Sequence, residues 1–288
     1  MVIQTAARGA GAVNKTLKYL LPAAGIAALG LGAAAWLIAP GRASKRAKAP
    51  FKGRNYAHRG LHRVDKTVPE NSLPAFRLAV ENGYGMELDV QLSSDDEVVV
   101  FHDDTLSRVC GVDGDVDDRS WDELKKLPLC GTQEHMPLFS EVLNVVGGRT
   151  PIIVELKTGR KNRLLCEKTL ALIDRYGGPV CVESFDPHIV RWFRRHAPDI
   201  LRGQLSSQYE DLEPEVGRFR AFCRSHLLTN FLSRPQFIAY RIGKKQFTVR
   251  LSEAMGAMKV LWTSHDWKSE SEADAVIFEF YRPRRKFK

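Results

Sequence analysis

Acidic residues are missing from the first part of this chain. Of its 288 residues, 34 are Asp or Glu, and the first of these is Asp65. Eleven of the 43 Lys and Arg residues precede it, which leaves 32 basic residues against 34 acidic ones in the remainder. The formal net charge of +9 therefore belongs to the N-terminal segment. Since a nucleic-acid-binding domain carries positive charge on its own surface, we predict no nucleic-acid partner.

Cysteine and internal repeats are also scarce. The five cysteines form an odd set without a Cys-x-x-Cys pair, which favours reduced thiols over a disulfide framework. No repeat of solenoid period is present. The Asp113, Asp115, Asp117 and Asp118 cluster lacks the terminal Glu of an EF-hand loop, so we predict a solvated turn there.

One uncharged stretch, residues 19–41, is long enough to cross a bilayer. It is rich in Ala, Leu and Gly, and Tyr19 and Trp36 suit the membrane interfaces. We predict a single transmembrane helix, because the apolar part of a cleaved signal peptide spans only about 7–15 residues. The predicted organisation is a basic segment at 1–18, the helix at 19–41, a basic linker at 42–51 and a catalytic domain at 52–288.

Basic residues flank this predicted helix on both sides, three before it and six between residues 42 and 54. The larger count favours a single-pass protein of the cell membrane with a cytoplasmic catalytic domain. Reduced cysteines agree with that side of the membrane. The flanking charges would also bind anionic headgroups, so the lipid bilayer is a predicted partner.

From residue 51 onward, short apolar runs alternate with amphipathic segments, which is typical of βα units. We predict an α/β fold, a (β/α)₈ TIM barrel, with the polar stretch 103–137 as an inserted excursion after the third strand. The predicted strands are 56–58, 86–92, 98–102, 152–157, 180–185, 201–205, 260–264 and 275–279, with 227–230 as a further candidate. The predicted helices are 72–81, 140–146, 162–176, 186–196 and 251–258.

Carboxylates cluster at the C-terminal ends of these predicted strands. Glu87 and Asp89 are two residues apart and therefore face the same way, as do Glu155 and Lys157 on another strand. Three converging carboxylates would repel one another, and a divalent cation is the simplest neutraliser. Because oxygen ligands favour hard ions, we predict one Mg²⁺ or Ca²⁺ rather than zinc.

Two histidines complete a set that suits phosphodiester cleavage. His58 and His102 end predicted strands, where barrel active sites lie. Histidine titrates near neutral pH, so one can accept a proton from the nucleophile while the other donates one to the leaving oxygen. Arg59 and Lys157 would stabilise negative charge on phosphate. Asp103 is open between orienting His102 and closing a turn.

Five ordered motifs resemble the glycerophosphodiester phosphodiesterase family over roughly residues 55–283. With the predicted helix, they indicate a membrane-anchored, bacterial-type member. The motifs read His58-Arg59-Gly60, Pro69-Glu70-Asn71-Ser72, Glu87-Leu88-Asp89, His102-Asp103 and Glu155-Leu156-Lys157.

This resemblance implies a reaction that releases sn-glycerol 3-phosphate and an alcohol from a glycerophosphodiester. It assigns acid-base catalysis to His58 and His102, phosphate contacts to Arg59 and Lys157, and a place in the pocket lining to Trp262. The implied metal ligands are Glu87, Asp89 and Glu155.

Two other functions stay open at this stage. A lysophospholipid substrate, as for a lysophospholipase D, would be reached from the bilayer surface. A non-catalytic binding module tethered to the membrane is disfavoured by the intact set of histidines and carboxylates.

The end of the chain departs from many family members, which show a Gly-Val-Asp-Gly lead and a Thr-Asp ending. Residues 275–279 here read Ala-Val-Ile-Phe-Glu. The six remaining histidines, His62 among them, have no comparable context and are predicted to be surface or packing residues.

Overall fold

The computed structural model describes residues 29–287. Their strands form one sheet in the order β1-β9-β8-β7-β6-β5-β4-β2-β3, and β1 also pairs with β2. Eight parallel strands therefore close into a barrel, as the βα alternation predicts. The strands are β1 (Arg54–Ala57), β2 (Gly85–Leu92), β3 (Val98–Val100), β4 (Ile152–Leu156), β5 (Val180–Ser184), β6 (Leu201–Ser206), β7 (Phe237–Arg241), β8 (Met258–Ser264) and β9 (Ala275–Phe278).

Helices pack around the barrel, and local sequence explains several of their boundaries. Ser72 caps α3 through its hydroxyl, Asp186 caps α8 ahead of a proline, and Gly177 ends α7 in a left-handed conformation. The helices are α1 (residues 29–38), α2 (Lys45–Lys48), α3 (Leu73–Glu81), α4 (Ser107–Cys110), α5 (Trp121–Leu124), α6 (Phe139–Val146), α7 (Asn162–Tyr176), α8 (Pro187–His196), α9 (Tyr209–Val216), α10 (Arg218–Ser225), α11 (Asn230–Ser233) and α12 (Phe247–Ala254).

One predicted barrel strand is wrong. The segment predicted at 98–102 forms β3, which runs antiparallel to the end of β2 and lies outside the closed ring. Only five residues join β2 to β3, too few for the crossover that parallel pairing requires. The missing barrel strand is β7, which was not predicted from the sequence. The further candidate at 227–230 forms a turn that leads into the first residue of α11.

Side-chain alternation along the strands separates the helix layer from the barrel interior. On β4, Ile152 and Val154 pack against the outer helices, whereas Ile153 lies in the barrel interior. Glu155 is two residues beyond Ile153 and so faces the same interior, near the open end. The register of β4 with β2 and β5 places Asp89 and Glu183 opposite Glu155.

The predicted excursion between β3 and α6 packs around a small core of its own. It contains α4, α5 and two short 3₁₀ turns, and its buried side chains pack onto the outward face of β3. The segment therefore folds as a compact unit that packs beside the barrel. The core that it forms with β3 consists of Val99, Phe101, Leu106, Val109, Cys110, Val116, Leu124, Leu129 and Met136.

The predicted single-pass membrane localisation is contradicted. Within residues 29–287, no helix combines the length and apolar character that a bilayer crossing needs. Residues 19–28 of the predicted span lie outside the described residues. The described remainder ends against the barrel, where Ile38 is buried and its carbonyl accepts a hydrogen bond from Asn230. The Trp36 ring packs at a tilt against the Phe231 ring, and the Arg234 guanidinium lies over the Trp36 ring.

Residues 42–51, predicted as a linker, also contact the barrel. Ser44 caps α2, and the Arg42 carbonyl accepts a hydrogen bond from Gln236. Phe51 is buried in the barrel interior, where its carbonyl accepts a 2.9 Å hydrogen bond from the Tyr56 hydroxyl. This segment therefore covers the N-terminal end of the barrel, opposite the strand ends that carry the site.

Packing inside the barrel depends on Gly203 of β6, which pairs with Phe237 of β7. A Cβ atom at Gly203 would lie 2.0 Å from the Phe237 ring. We predict that Gly203→Ala lowers the free energy of unfolding by about 1–3 kcal/mol, because overpacking displaces the ring or the strand. Urea denaturation should detect this loss.

Gly159→Ala is the matched control, since no heavy atom lies within 4 Å of its added Cβ. Its unfolding free energy should stay within about 0.5 kcal/mol of the wild-type value. Equal stability of the two variants would show that Gly203 is not the close contact described.

Candidate active site

A cavity of about 710 Å³ opens at the C-terminal end of the barrel. Of the eight site residues predicted from the sequence, Asp89 alone is absent from its lining and is buried beside Glu87 and Glu155. The structure thus brings the predicted set together. The seven in the lining are His58, Arg59, Glu87, His102, Glu155, Lys157 and Trp262.

Three buried carboxylates form the floor of the site. One oxygen from each of Glu87, Asp89 and Glu155 lies within 4.8 Å of the other two. Asp89 Oδ1 is buried and has no hydrogen-bond partner among residues 29–287, although Lys157 Nζ lies 3.7 Å away. An all-oxygen donor set with an unpaired buried oxygen fits a hard divalent cation.

Neighbouring groups hold this floor in place. The Arg59 backbone N–H donates to Glu87 at 3.0 Å, and the Asn71 amide donates to Asp89 at 2.9 Å. Lys157 donates to Glu155 at 3.0 Å. Arg59 and Asn71 both adopt left-handed backbone conformations, with φ of 50° and 53°, which costs about 1–3 kcal/mol for a non-glycine residue. These strained backbone conformations direct the Arg59 N–H at Glu87 and the Asn71 amide at Asp89.

Proton affinities differ sharply within the floor. Burial, together with the charges of Asp89 and Glu155, raises the pKa of Glu87 well above its usual range. Burial also opposes ionisation of Asp89, but His102, Lys157 and Arg59 outweigh it and lower the pKa of that carboxyl. The negative charge on Asp89 is therefore compensated by its cationic neighbours, whereas a second negative charge, on Glu87, is not.

A fourth acid, Glu183 of β5, extends the cluster and was not predicted from the sequence. Burial and the charges of Glu155 and Asp89 raise its pKa well above the usual range. Its Oε2 is buried, and no residue that the structure describes forms a hydrogen bond with it. The signal for this residue was its place on an interior strand face one step along the sheet from Glu155.

His58 is held by a carboxylate that the sequence did not predict as part of the site. Its Nδ1 lies 3.0 Å from Glu279 Oε1, and the same oxygen lies 3.0 Å from His62 Nε2. His62 is buried, not a surface residue. Burial lowers the pKa of His58, despite the opposing hydrogen bond to Glu279. The available signal was an acidic residue directly after an apolar strand.

His102 is held in a parallel manner by Asp103. It follows β3 rather than a barrel strand, but the Phe101 N–H donates to the Asp89 carbonyl and so brings His102 to the cavity. Asp103 Oδ1 lies 2.6 Å from His102 Nδ1, and its other oxygen accepts a 2.6 Å hydrogen bond from Arg108. Of the two roles left open for Asp103, the structure shows the contact with the imidazole.

Arg108, in the excursion, was not predicted and links the two sides of the site. Besides Asp103, it donates two hydrogen bonds, of 2.8 and 2.6 Å, to Glu70. Glu70 also accepts from Arg59 at 2.7 Å. Burial opposes ionisation of Glu70, but Arg108 and Arg59 together lower its pKa to about 2. A continuous series of charged contacts therefore links His102 to Arg59 through Asp103, Arg108 and Glu70.

Apolar side chains form one wall of the cavity, and the charged side chains of Asp211, Glu215 and Arg241 line the cavity as well. Trp262 packs edge-on against Phe185 with ring centroids 5.8 Å apart, and its buried Nε1–H has no partner in the described chain. This wall is formed by Phe185, Leu205, Leu212, Ile242, Trp262 and Ile277.

Residues 58–280 match the family model described as the glycerophosphoryl diester phosphodiesterase family. The chain belongs to this family. The match covers well over half of the sequence and confirms the family that the five motifs indicate. It carries no support for a membrane-anchored subgroup.

Individual relatives match only about half of the chain. A glycerophosphodiester phosphodiesterase of Caldanaerobacter subterraneus subsp. tengcongensis is 35% identical over 161 residues, covering 52% of this chain and 65% of that protein. A lysophospholipase D of Rattus norvegicus, GDPD1, is 33% identical over 151 residues, covering 48% of this chain and 46% of its own length. The chain thus spans less than two thirds of either relative.

A solved structure shares the family fold. It is an Oleispira antarctica phosphodiesterase in complex with the product sn-glycerol-3-phosphate, with a TM-score of 0.65 and 24% identity. The alignment covers 81% of this chain and 94% of that one. At this identity the similarity shows the fold alone.

The carboxylate floor predicts a charge-dependent stability. Because the pKa of Glu87 is raised in the folded state, metal-free protein loses stability as pH rises above the ordinary Glu value of about 4.3. We predict that Glu87→Gln removes this loss and, at pH 8 with a chelator present, adds roughly 1–3 kcal/mol to the unfolding free energy. Added Mg²⁺ should stabilise the wild type more than the variant.

Thermal and urea denaturation with and without Mg²⁺ measure both effects. Glu81→Gln, at an exposed position at the end of α3, is the control and should change neither quantity. A destabilised Glu87→Gln protein in chelator at pH 8 would contradict the repulsion described here.

Proposed function

We propose that this protein is a divalent-metal-dependent phosphodiesterase that cleaves glycerophosphodiesters to sn-glycerol 3-phosphate and an alcohol, with residues 52–288 as the catalytic domain. One observation carries the proposal: two imidazoles, each bound through Nδ1 to a carboxylate, line one cavity above three clustered carboxylates. The product bound to the Oleispira antarctica phosphodiesterase supports the choice of substrate.

Glu87, Asp89 and Glu155 would hold the metal. Their donors are carboxylate oxygens, so Mg²⁺ or Ca²⁺ suits them better than zinc. When bound, such an ion neutralises the cluster and withdraws charge from a phosphate oxygen.

His58 is the proposed general base. Glu279 occupies its Nδ1, which leaves Nε2 as the nitrogen available to the cavity. The lowered pKa keeps this imidazole neutral near pH 7, ready to take the proton of water or of the glycerol hydroxyl as that oxygen attacks phosphorus. Burial of His58 favours this role over that of the acid.

His102 is the proposed general acid. Asp103 accepts from its Nδ1 and stabilises the imidazolium, so Nε2–H can protonate the alkoxide as the bond from phosphorus to the leaving oxygen breaks. Arg108 fixes Asp103 from the opposite side. One histidine thus gains a proton and the other loses one. Where the glycerol hydroxyl is the nucleophile, water then opens the resulting cyclic phosphate with the two roles reversed, which gives sn-glycerol 3-phosphate and restores both protonation states.

Arg59 and Lys157 are the proposed phosphate contacts, and both remain positively charged. Burial opposes the charge on Lys157, but Glu155 and Asp89 outweigh it and raise the pKa of its ammonium group. Arg59 lies between Glu70 and Asp89, 2.7 and 3.7 Å from their oxygens. Trp262 lines the same cavity and is a further proposed contact of the substrate.

A lysophospholipid is the second candidate substrate. The apolar wall on the side of Leu212, Ile242 and Trp262 could accommodate the start of an acyl chain. The relative from Rattus norvegicus is named a lysophospholipase D, which is consistent with such a substrate within the family.

The acid and base can be told apart by the leaving group. His58→Ala and His102→Ala should each lower kcat by about 10²–10⁴ on glycerophosphocholine. On a glycerophosphodiester of p-nitrophenol, which leaves without a proton, His102→Ala should recover most of its rate while His58→Ala should not. Steady-state kinetics on both substrates provide the measurement, and recovery of the His58 variant instead would reverse the assignment.

A substrate panel separates the two candidate functions. We expect glycerophosphocholine to be cleaved at least about tenfold more efficiently than micellar lysophosphatidylcholine, with EDTA abolishing and Mg²⁺ or Ca²⁺ restoring activity. Ile242→Asp should then affect the soluble substrate little. The opposite preference, together with selective loss of lysolipid cleavage in Ile242→Asp, would establish the lipid substrate; chelator-resistant cleavage would refute the metal assignment.

A further inference from the structure

Glu279 joins two histidines through a single oxygen. It directly follows β9, and its Oε1 lies 3.0 Å from His58 Nδ1 and 3.0 Å from His62 Nε2. The His62 side chain is 7% exposed and the Glu279 side chain 16%, so water competes little for these bonds. The proposed catalytic steps use His58 and its contact with Glu279, but they give no role to His62.

The shared oxygen determines where the protons lie. Burial opposes the charge on Glu279, but its bonds to His58 and His62 lower the pKa, so the group is a carboxylate. A carboxylate oxygen only accepts hydrogen bonds, and each imidazole must therefore present N–H to it. Neutral His58 then carries its proton on Nδ1 and its lone pair on Nε2, which is the tautomer a base in this cavity requires.

The backbone around the three residues holds this arrangement. The His58 N–H donates to the Phe278 carbonyl at 3.0 Å, and the Glu279 N–H donates to the Ser264 carbonyl at 2.9 Å. Phe280 takes a left-handed conformation with φ of 63°, a costly turn immediately after Glu279. Its ring packs edge-on against His62 at 5.0 Å. Strand pairing already ties β1 to β9, so the side-chain bonds are not needed for that purpose.

We propose that Glu279 and His62 form a positioning pair for His58: Glu279 fixes the tautomer and ring orientation of His58, and His62 anchors Glu279 from its second side. This inference rests on the proposed role of His58 as the base and deepens it. Neither residue touches the reacting atoms, and both act through the imidazole of His58.

Glu279→Gln tests the pair most directly. The Gln amide N–H₂ can donate to His58 Nδ1, which moves the proton to Nε2 and removes the base. We expect kcat on glycerophosphocholine to fall by about 10²–10⁴, with KM changed by less than about threefold. His62→Phe, which keeps an aromatic ring beside Phe280 but loses the donor, should lower kcat by about tenfold.

Tautomers provide a readout that a merely structural role would not change. ¹⁵N NMR of labelled protein distinguishes an N–H nitrogen from one with a lone pair, so it should show His58 as Nδ1–H in the wild type. His58→Gln identifies the His58 signal. Glu279→Gln should shift the population toward Nε2–H. His188→Gln, at an exposed histidine, should remove only the His188 signals and leave the His58 signals and kcat as in the wild type.

Glu279→Asp keeps the carboxylate and guards against loss of folding in the other variants, which circular dichroism would reveal. It should retain the Nδ1–H tautomer and more activity than Glu279→Gln. Unchanged tautomer and kcat within about twofold in a folded Glu279→Gln protein would overturn the proposal. Absence of glycerophosphodiester cleavage by the wild type would instead overturn the proposed function, because the tautomer measurement does not depend on turnover.

Discussion

Electrostatic repulsion among buried carboxylates is the constraint on which this site depends. Parallel pairing of β2 with β4 places Asp89 opposite Glu155, and side-chain alternation adds Glu87 to the same face. Barrel closure thus forces their oxygens within 4.8 Å of one another, away from water. Lys157 and Arg59 compensate part of that charge from within the chain. The uncompensated part, visible in the raised pKa of Glu87, is what favours a divalent cation.

A second layer of charges holds the two imidazoles that we propose to transfer protons. Each active-site imidazole is bound at Nδ1 by a carboxylate, Asp103 for His102 and Glu279 for His58. These carboxylates lie outside the barrel strands and are anchored in turn, one by Arg108 and the other by His62. The excursion therefore contributes directly to the site through Arg108. On the side of His58, the backbone also takes a left-handed conformation at Phe280, immediately after Glu279.

Local sequence patterns predicted much of the fold, whereas several contacts between residues far apart in the chain could not be predicted from them. Helix α7 matches its predicted span, because its apolar period and the glycine that ends it are local signals. The segment of β3 was predicted as a barrel strand and β7 was missed, because an apolar run has the same pattern whether it enters the barrel or folds back as a hairpin. Glu279 is 221 residues from His58, and no local pattern links them. Apolar residues of the segment predicted to cross a membrane likewise gave no sign of the contact between Ile38 and the barrel.

The central claim is that Glu87, Asp89 and Glu155 share one hard cation beneath two imidazoles. Anomalous diffraction from crystals soaked with Mn²⁺ and sn-glycerol 3-phosphate tests it most directly. The account predicts one manganese peak within coordination distance of all three carboxylates, with a phosphate oxygen bound to it and Nε2 of His58 and of His102 directed at the phosphate. A peak bound instead by His58, His62 and Glu279, or no peak at the carboxylates, would contradict it.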